Sequence, residues 1–157
     1  MGVTATGKSA VGTRLADRLD MAYLEGDEFH PEANIQKMSD GEPLTDDDRR
    51  PWLEALALKL AQNRDAGVAT VLGCSALRRS YRDILRGPYR PETVSFVHLT
   101  APFDVLRDRM EQREHFMPAS LLQSQFDTLE PPEEAIRIDV AEPLERSVEK
   151  IRAALQT

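Results

Sequence analysis

The chain has 157 residues, 41% of them apolar and 30% charged, and a formal net charge of −7. A chain of this length and composition can form one domain that needs neither a disulfide nor a metal for stability. Its single cysteine excludes an internal disulfide, and no apolar run reaches the ~18 residues that a membrane span requires. The acidic balance argues against general affinity for nucleic acid. We therefore expect a protein of the reducing cytoplasm with no membrane or nucleic-acid partner.

The apolar residues switch repeatedly between helical spacing and strand spacing along the chain. In chain order, the spacing predicts helix Lys8–Leu19, strand 21–25, helix Asp46–Asp65, strand 68–74, helix Arg79–Arg86, strand 94–99, a helix from residue 102, helix 118–129, strand 135–140 and helix 143–155. Strands that alternate with helices predict parallel pairing through right-handed crossovers, with helices on both faces of the sheet. The expected fold class is therefore α/β, as a three-layer α/β/α domain around a parallel sheet.

The opening residues carry a phosphate-loop motif, G-x-x-x-x-G-K-S/T. The predicted nucleotide-binding residues are Gly2, Val3, Thr4, Ala5, Thr6, Gly7, Lys8 and Ser9. The two glycines let successive backbone N–H groups turn toward phosphate oxygens, and Lys8 can reach the β- and γ-phosphates. The Ser9 hydroxyl is a ligand for Mg²⁺. A chance Gly-Lys-Ser turn is the alternative, and the helical stripe that starts directly after the motif argues against it.

A phosphate loop normally follows a buried central strand, but this sequence begins one residue before the loop. Without such a strand, the neighbouring strands keep unpaired edges and the loop lacks an anchor. Two explanations stay open: the sequence is cut short before Met1, or another segment or subunit fills the gap. We favour the first explanation and expect the first central strand to be missing from this chain.

Five further blocks follow the loop in the sequence. They read E-G-D at 25–27 with H-P at 30–31, G-E-P-L-T-D-D-D-R at 41–49 before P-W at 51–52, C-S-A-L-R-R-S-Y-R-D at 74–83, H-F-M-P at 115–118, and L-L-Q-S-Q-F-D-T-L-E at 121–130. Together with the loop, this set resembles the gluconokinases of the phosphate-loop kinase class from residue 2 to about residue 139. The resemblance implies Mg²⁺-dependent transfer of the γ-phosphate of ATP to D-gluconate by one kinase domain over residues 1–157.

The resemblance also implies which residues perform the chemistry. Lys8 and Asp27 are the implied catalytic residues on the loop and on the first strand end. A carboxylate at the end of a strand can orient the attacking hydroxyl and accept its proton, and a turn or cap acid is the alternative for Asp27. Glu25 is expected to support Mg²⁺ together with Ser9.

The acceptor needs a pocket with a cation for its carboxylate and several polar groups for its hydroxyls. The implied substrate-binding residues are Asp27, His30, Arg49, Ser75, Arg78 and Arg82. Arg49 and Arg78 are the leading partners of the carboxylate, with Arg82 third. For His30, bracing of the turn before Pro31 is an equal alternative.

A lid is expected over about residues 107–130. Arg109 and Arg113 are four residues apart and so share a helix face. The resemblance makes Arg109 a nucleotide contact and Arg113 a catalytic cation near the transferring phosphate. Family members usually have a glycine before His-Phe, whereas this chain reads R-E-H at 113–115 and is one residue shorter there. Ala5 stands where they usually have glycine, and we expect it to fit only with a negative φ.

Two other functions stay open on the sequence. One is a degenerate nucleotide-binding protein that holds ATP with little catalysis, which the missing strand, Ala5 and the short lid favour. The other is a related small-metabolite kinase, such as a shikimate kinase, although the blocks at 41–52 and 74–83 belong with the gluconokinase pattern. Family members are often dimers, so a homodimer is an open alternative to a monomer.

Overall fold

Residues 1–113 and 118–157 are described by the computed structural model of the chain. The helices in this part are α1 Lys8–Leu19, α2 Glu32–Ser39, α3 Asp46–Asp65, α4 Arg79–Arg86, α5 Phe103–Glu111, α6 Leu121–Thr128 and α7 Leu144–Leu155. The strands are β1 Ala22–Glu25, β2 Thr70–Gly73, β3 Val97–Thr100 and β4 Ile136–Asp139, and 3-10 turns cover Gly26–Phe29 and Pro91–Thr93. No helix in these two ranges is long and apolar enough to cross a bilayer.

The strands form two separate parallel pairs. β1 pairs with β2, so that Leu24 lies opposite Leu72, and β3 pairs with β4, so that Leu99 lies opposite Ile138. In each pair the chain leaves one strand and returns to the next through helices, as parallel pairing requires. The parallel pairing and the α/β class expected from the sequence are confirmed.

An apolar cavity of about 390 Å³ borders both strand pairs. Residues of β2 and β3 line this slot, and α1 and α7 contribute further apolar side chains. Met1 and Gly2 connect the pairs: the Leu99 N–H donates to the Met1 carbonyl at 2.9 Å, and the Gly2 N–H donates to the Ser75 carbonyl at 3.1 Å. Within the described residues no strand precedes α1, in agreement with the expectation from the sequence.

Apolar side chains are buried in two main clusters on opposite faces of the strands. Val71 and Leu72 are consecutive in β2 and so point to opposite faces. Val71 packs against a cluster built mainly from α1 and α7, whereas Leu72 packs against a cluster built from α3, α4, α5 and α6. Helices therefore cover both faces, and the three-layer arrangement predicted from the sequence is confirmed.

The start of α3 is set by a reciprocal cap between Thr45 and Asp48. The Asp48 N–H donates to the Thr45 hydroxyl at 3.1 Å, and the Thr45 N–H donates to an Asp48 carboxylate oxygen at 2.9 Å. That oxygen also accepts from Lys37 Nζ at 2.9 Å. The Thr45 N–H and the Lys37 ammonium together lower the pKa of Asp48 to about 2. The cap places Arg49 in the first turn of α3, where it can face the site.

Helix α2 is the element that the sequence analysis missed. It has only eight residues, and polar side chains such as Gln36 and Ser39 interrupt its apolar face. Met38 is its one buried apolar side chain, so the helical stripe is too short to detect as a period. Pro31, immediately before the helix, was the local start signal.

The cap on α3 predicts a measurable stability change. We expect Thr45→Ala to lower the free energy of unfolding by about 1 kcal/mol at pH 7, because the Asp48 N–H loses its acceptor. Thr45→Ser keeps the hydroxyl and serves as the matched control. Urea unfolding of the three proteins measures the difference, and equal stability of the alanine and serine variants would contradict the role of the cap.

The same cap predicts a pH dependence. The folded pKa of Asp48 is about 2, below the roughly 3.9 of an unfolded aspartate. A depressed carboxyl pKa contributes stability that is present above the unfolded value and disappears as the pH falls through the folded value. The stability gap between wild type and an Asp48→Asn variant is therefore expected to be constant above about pH 4 and to close toward pH 2.

Candidate active site

The phosphate loop has a glycine with positive φ at each of its two ends. Gly7 has φ of 82° and immediately precedes α1, so the helix begins at Lys8. Gly2 has φ of 143°, and a Cβ at this position would lie 2.6 Å from the Leu99 carbonyl oxygen. The loop therefore curls directly in front of the helix N-terminus, where backbone N–H groups and the helix dipole favour an anion.

Ala5 adopts a conformation that the sequence analysis excluded. Its φ is 64°, in the left-handed region, so the expectation of a negative φ was wrong. A residue with a Cβ costs about 1–2 kcal/mol in this region. The loop therefore keeps the turn that glycine would make, at a steric cost.

Two side chains hold the inside of the loop. The Thr6 hydroxyl and the Lys8 ammonium both donate to the Val3 carbonyl, each at 2.9 Å. Burial lowers the pKa of Lys8, and the carboxylates of Asp27 and Glu25 oppose that shift. Lys8 is thus a partly desolvated cation at the loop, where its charge would interact strongly with a bound phosphate.

Gln125 of α6 contacts the loop from the other side. Its side-chain oxygen accepts a hydrogen bond from the Thr4 N–H at 2.7 Å. The sequence block at 121–130 contained this residue, but no local pattern assigned it a partner. The contact joins the predicted lid segment to the phosphate loop across 121 residues of sequence.

Ser9 and Glu25 meet beside the loop. The Ser9 hydroxyl donates to Glu25 Oε2, and the Tyr23 hydroxyl donates to the same oxygen at 2.8 Å. Burial raises the pKa of Tyr23, so its proton stays in place to make this bond. A hydroxyl and a carboxylate are the hard oxygen donors that Mg²⁺ takes, usually one or two from the protein alongside phosphate and water. In residues 1–113 and 118–157 no cluster of three or more His, Cys, Asp or Glu side chains could hold a metal.

A small cavity of about 50 Å³ adjoins the loop. Six of the predicted site residues line this cavity: Thr4, Lys8, Asp27, His30, Arg49 and Ser75. The 3-10 turn after β1 supplies Asp27, and the loop after β2 supplies Ser75. The carboxyl ends of these two parallel strands meet at one edge, where α/β sheets bind ligands.

Arg49 is the arginine that the structure brings to the cavity. Its Nη1 donates to the Leu44 carbonyl at 2.7 Å and to the Tyr81 hydroxyl at 3.2 Å. The Tyr81 hydroxyl in turn donates to Asp46, and the Tyr81 side chain is 3% exposed. The Tyr81–Asp46 pair therefore holds the guanidinium of Arg49 in place. The sequence analysis did not single out Tyr81.

The other two proposed carboxylate partners are engaged elsewhere. Arg78 lies 3.3 Å from Asp46 and does not line the cavity. Arg82 is buried, and its Nη1 donates to the carbonyls of Ala76 and Leu77 at 2.9 and 3.1 Å. Burial lowers the pKa of Arg82. Arg82 therefore braces the loop after β2 by donating to two of its carbonyls.

The two lid arginines differ in their contacts. Arg109 donates through Nη2 to the Val140 carbonyl at 3.0 Å and through Nη1 to the Ala5 carbonyl at 3.4 Å, so it touches the phosphate loop. Arg113 is exposed just beyond the end of α5. The rest of the lid motif, at 114–117, lies outside the described residues, and the catalytic part expected of Arg113 stays a prediction.

The remaining histidine and cysteine within the described ranges are structural. Cys74 is 3% exposed, and burial raises the pKa of its thiol to about 12, which makes it inert as a nucleophile. His98, in β3, is 5% exposed, and burial lowers its pKa to about 4.

The geometry defines a class of protein. A glycine-ended loop in front of a helix, a lysine inside it, a serine–carboxylate pair beside it and an acid facing it across a cavity are the parts of a phosphate-loop kinase.

Comparisons with known proteins define the family. A family model described as Shikimate kinase matches residues 4–150. The gluconokinase of Gluconobacter oxydans is 53% identical over 133 residues, which cover 84% of this chain and 74% of that protein. The thermoresistant gluconokinase of Escherichia coli is 41% identical over 150 residues, 92% of this chain and 85% of that protein. A crystal structure of a gluconokinase from Sinorhizobium meliloti superposes with a TM-score of 0.88 at 47% identity, covering 99% of this chain and 89% of that one. The chain belongs to the gluconokinase family.

The strained position in the loop predicts a stabilising substitution. We expect Ala5→Gly to raise the free energy of unfolding by about 1 kcal/mol, because glycine takes the left-handed conformation without a steric cost. Ala10→Gly, at an exposed position in the first turn of α1, is the matched control and should lower stability by up to about 1 kcal/mol. Urea unfolding measures both. A destabilised Ala5→Gly variant would show that the loop does not hold Ala5 in this conformation.

Proposed function

We propose that this chain phosphorylates D-gluconate at the expense of ATP and releases 6-phospho-D-gluconate and ADP. The observation that carries the proposal is the cavity that joins Lys8, Asp27 and Arg49 beside the phosphate loop. Lys8 is a cation for the phosphates of ATP, Asp27 is an acid for a gluconate hydroxyl, and Arg49 is a second cation for the gluconate carboxylate. The relatives named as gluconokinases support the same choice.

In this proposal the loop receives the phosphates of ATP. Backbone N–H groups at the N-terminus of α1 and the Lys8 ammonium stabilise the negative charge that spreads over the transferring phosphoryl group. Arg109, which contacts the loop at Ala5, adds a third positive group. Little covalent work is left to the protein, so positioning supplies most of the rate.

Asp27 acts on the acceptor. Its carboxylate accepts the proton of a gluconate hydroxyl as the hydroxyl oxygen forms its bond to the γ-phosphorus, and the bond from that phosphorus to the bridging oxygen of ADP breaks. Arg49 pairs with the gluconate carboxylate from the other side of the cavity. His30 and Ser75, which line the same cavity, contact its hydroxyls.

We propose that Ser9 and Glu25 hold Mg²⁺, because they place a hydroxyl and a carboxylate oxygen together next to the loop. The ion supplies charge neutralisation for the β- and γ-phosphates when it is bound. Tyr23 orients Glu25 through its hydrogen bond to Oε2.

We further propose that residues of about 107–130 form a lid of the single kinase domain and that closure brings Arg113 to the transferring phosphate. Arg113 lies four residues after Arg109, which already reaches the loop. The Gln125–Thr4 hydrogen bond supports a link between this segment and the nucleotide site. Closure over ATP would exclude water and limit hydrolysis. We also propose a cytoplasmic location, because the single cysteine fits a reducing compartment.

The second candidate is a nucleotide-binding protein with little catalysis. The left-handed Ala5 and the slot between β2 and β3 favour it, because both weaken the support of the loop. Release of ADP in a coupled assay, without acceptor and with gluconate or shikimate, separates the candidates. Release stimulated by gluconate supports the proposal, and stimulation by shikimate reverses the choice of substrate. Tight ATP binding with no stimulated release supports the second candidate.

The role of Asp27 predicts a large kinetic effect. We expect Asp27→Asn to lower kcat for gluconate phosphorylation at least ~10²-fold, because the amide cannot accept the hydroxyl proton. Glu28→Gln, the next residue in the same turn and also exposed, should keep wild-type kcat. Near-normal turnover in Asp27→Asn would remove its role as the base.

The support of Arg49 predicts an effect that is selective for one substrate. Tyr81→Phe removes the hydroxyl that bridges Arg49 and Asp46, so KM for gluconate should rise roughly 3–10-fold while KM for ATP stays unchanged. Tyr89→Phe is the control. The Tyr89 ring packs under Arg64, 3.4 Å from the guanidinium carbon, and does not line the small cavity beside the phosphate loop. Equal increases in both KM values would indicate a general loss of structure instead.

A further inference from the structure

The His30 ring is held in one plane beside the cavity. It stacks on the Trp52 indole with ring centroids 4.0 Å apart and an interplanar angle of 17°. Trp52 is itself 2% exposed, and its Nε1–H donates to the Gly26 carbonyl at 2.7 Å. The indole cannot rotate without losing a buried hydrogen bond, so the plane of the stacked imidazole is fixed.

The buried side-chain amide of Asn34 presents its nitrogen, and not its oxygen, to the His30 imidazole. Asn34 is 4% exposed, and its Nδ2 lies 2.9 Å from the Asp48 carbonyl oxygen. A carbonyl oxygen only accepts, so the amide atom at this place is the nitrogen and not the oxygen. The same nitrogen lies 3.3 Å from His30 Nδ1. One N–H of the amide therefore serves Asp48, and the other serves His30.

An imidazole that accepts at Nδ1 has only one place for its proton. In the neutral ring one nitrogen accepts and the other carries the hydrogen, so His30 carries its hydrogen on Nε2. A doubly protonated ring would set an N–H against the amide N–H of Asn34. Burial also lowers the pKa of His30 to about 4, and the nearby Arg49 guanidinium acts in the same direction.

We propose that Asn34 is a positioning residue that fixes His30 as the Nε2–H tautomer, so that His30 donates one hydrogen bond to an oxygen of the acceptor substrate and does not act as a base. The identity of that substrate as a sugar acid rests on the proposed function, whereas the tautomer does not. The ring complements Asp27, because Asp27 accepts a proton at the cavity and His30 only donates a hydrogen bond. The acceptor must therefore present a lone pair to His30, as a hydroxyl or a carboxylate does.

The tautomer is tested without any turnover. Two-bond ¹H–¹⁵N correlation spectra of the ¹⁵N-labelled protein at pH 7 distinguish the Nε2–H ring, the Nδ1–H ring and the imidazolium. The chain has three histidines, so a His30→Gln variant assigns the signals of His30. The expected pattern is Nε2–H. An Nδ1–H or imidazolium pattern for His30 in the wild-type protein overturns the proposal, whatever the protein phosphorylates.

The part played by Asn34 is tested by reversing its polarity. Asn34→Asp replaces a donor with an acceptor at Nδ1, so the His30 signals should change to a ring protonated at Nδ1. Gln36→Glu makes the same amide-to-acid change on the exposed side of α2 and should leave the His30 signals unchanged. An unchanged Nε2–H pattern in a folded Asn34→Asp variant overturns the proposal. If that variant does not fold, the wild-type spectrum decides.

The direction of the hydrogen bond to substrate is tested by two isosteres of histidine. The Gln amide nitrogen reaches the place of Nε2 and keeps a donor there, whereas the shorter Asn side chain does not. His30→Gln should keep KM for gluconate within about threefold of wild type, and His30→Asn should raise it about tenfold, with KM for ATP unchanged in both. Equal increases in the two variants contradict donation from Nε2. A wild-type protein inactive on gluconate would refute the proposed function and leave the spectroscopic test intact.

Discussion

The turn from Gly2 to Gly7 is the constraint on which the site depends. Because Gly7 is left-handed, α1 can begin at Lys8, and the first helical turn then points its N–H groups into the loop. The same start places Ser9 against Glu25, at the end of β1. The positions proposed for phosphate and for a divalent cation would thus both follow from one backbone reversal.

The acceptor side depends on a second helix start. The cap between Thr45 and Asp48 sets where α3 begins, and Arg49 occupies its first turn because of that start. The Asp48 carbonyl also orients the Asn34 amide, which contacts His30. Two helix N-termini therefore position the residues of the two proposed substrate sites, and Asp27 lies on the short turn after β1.

Much of this arrangement was predictable, since α1, α3 and α4 begin and end at the residues that the spacing of apolar side chains predicted. The site was harder, because the sequence offers several arginines near the strand ends and charge alone cannot rank them. Arg78 and Arg82 are engaged by Asp46 and by backbone carbonyls, which are contacts made only on folding. Ala5 was misjudged because its φ is imposed by the loop around it. Tyr81 acts through a partner 35 positions away, for which no local pattern exists.

The slot between β2 and β3 separates the two parallel strand pairs. The loop is hydrogen-bonded toward one strand pair through Ser75 and toward the other through Leu99. A nucleotide bound by the loop would therefore lie where the two strand pairs are joined. Its binding would raise the free energy of unfolding by RT ln(1 + [L]/Kd), where [L] is the concentration of free nucleotide. The resistance of the protein to heat and to proteolysis would then depend on the nucleotide concentration around it as well as on its own sequence.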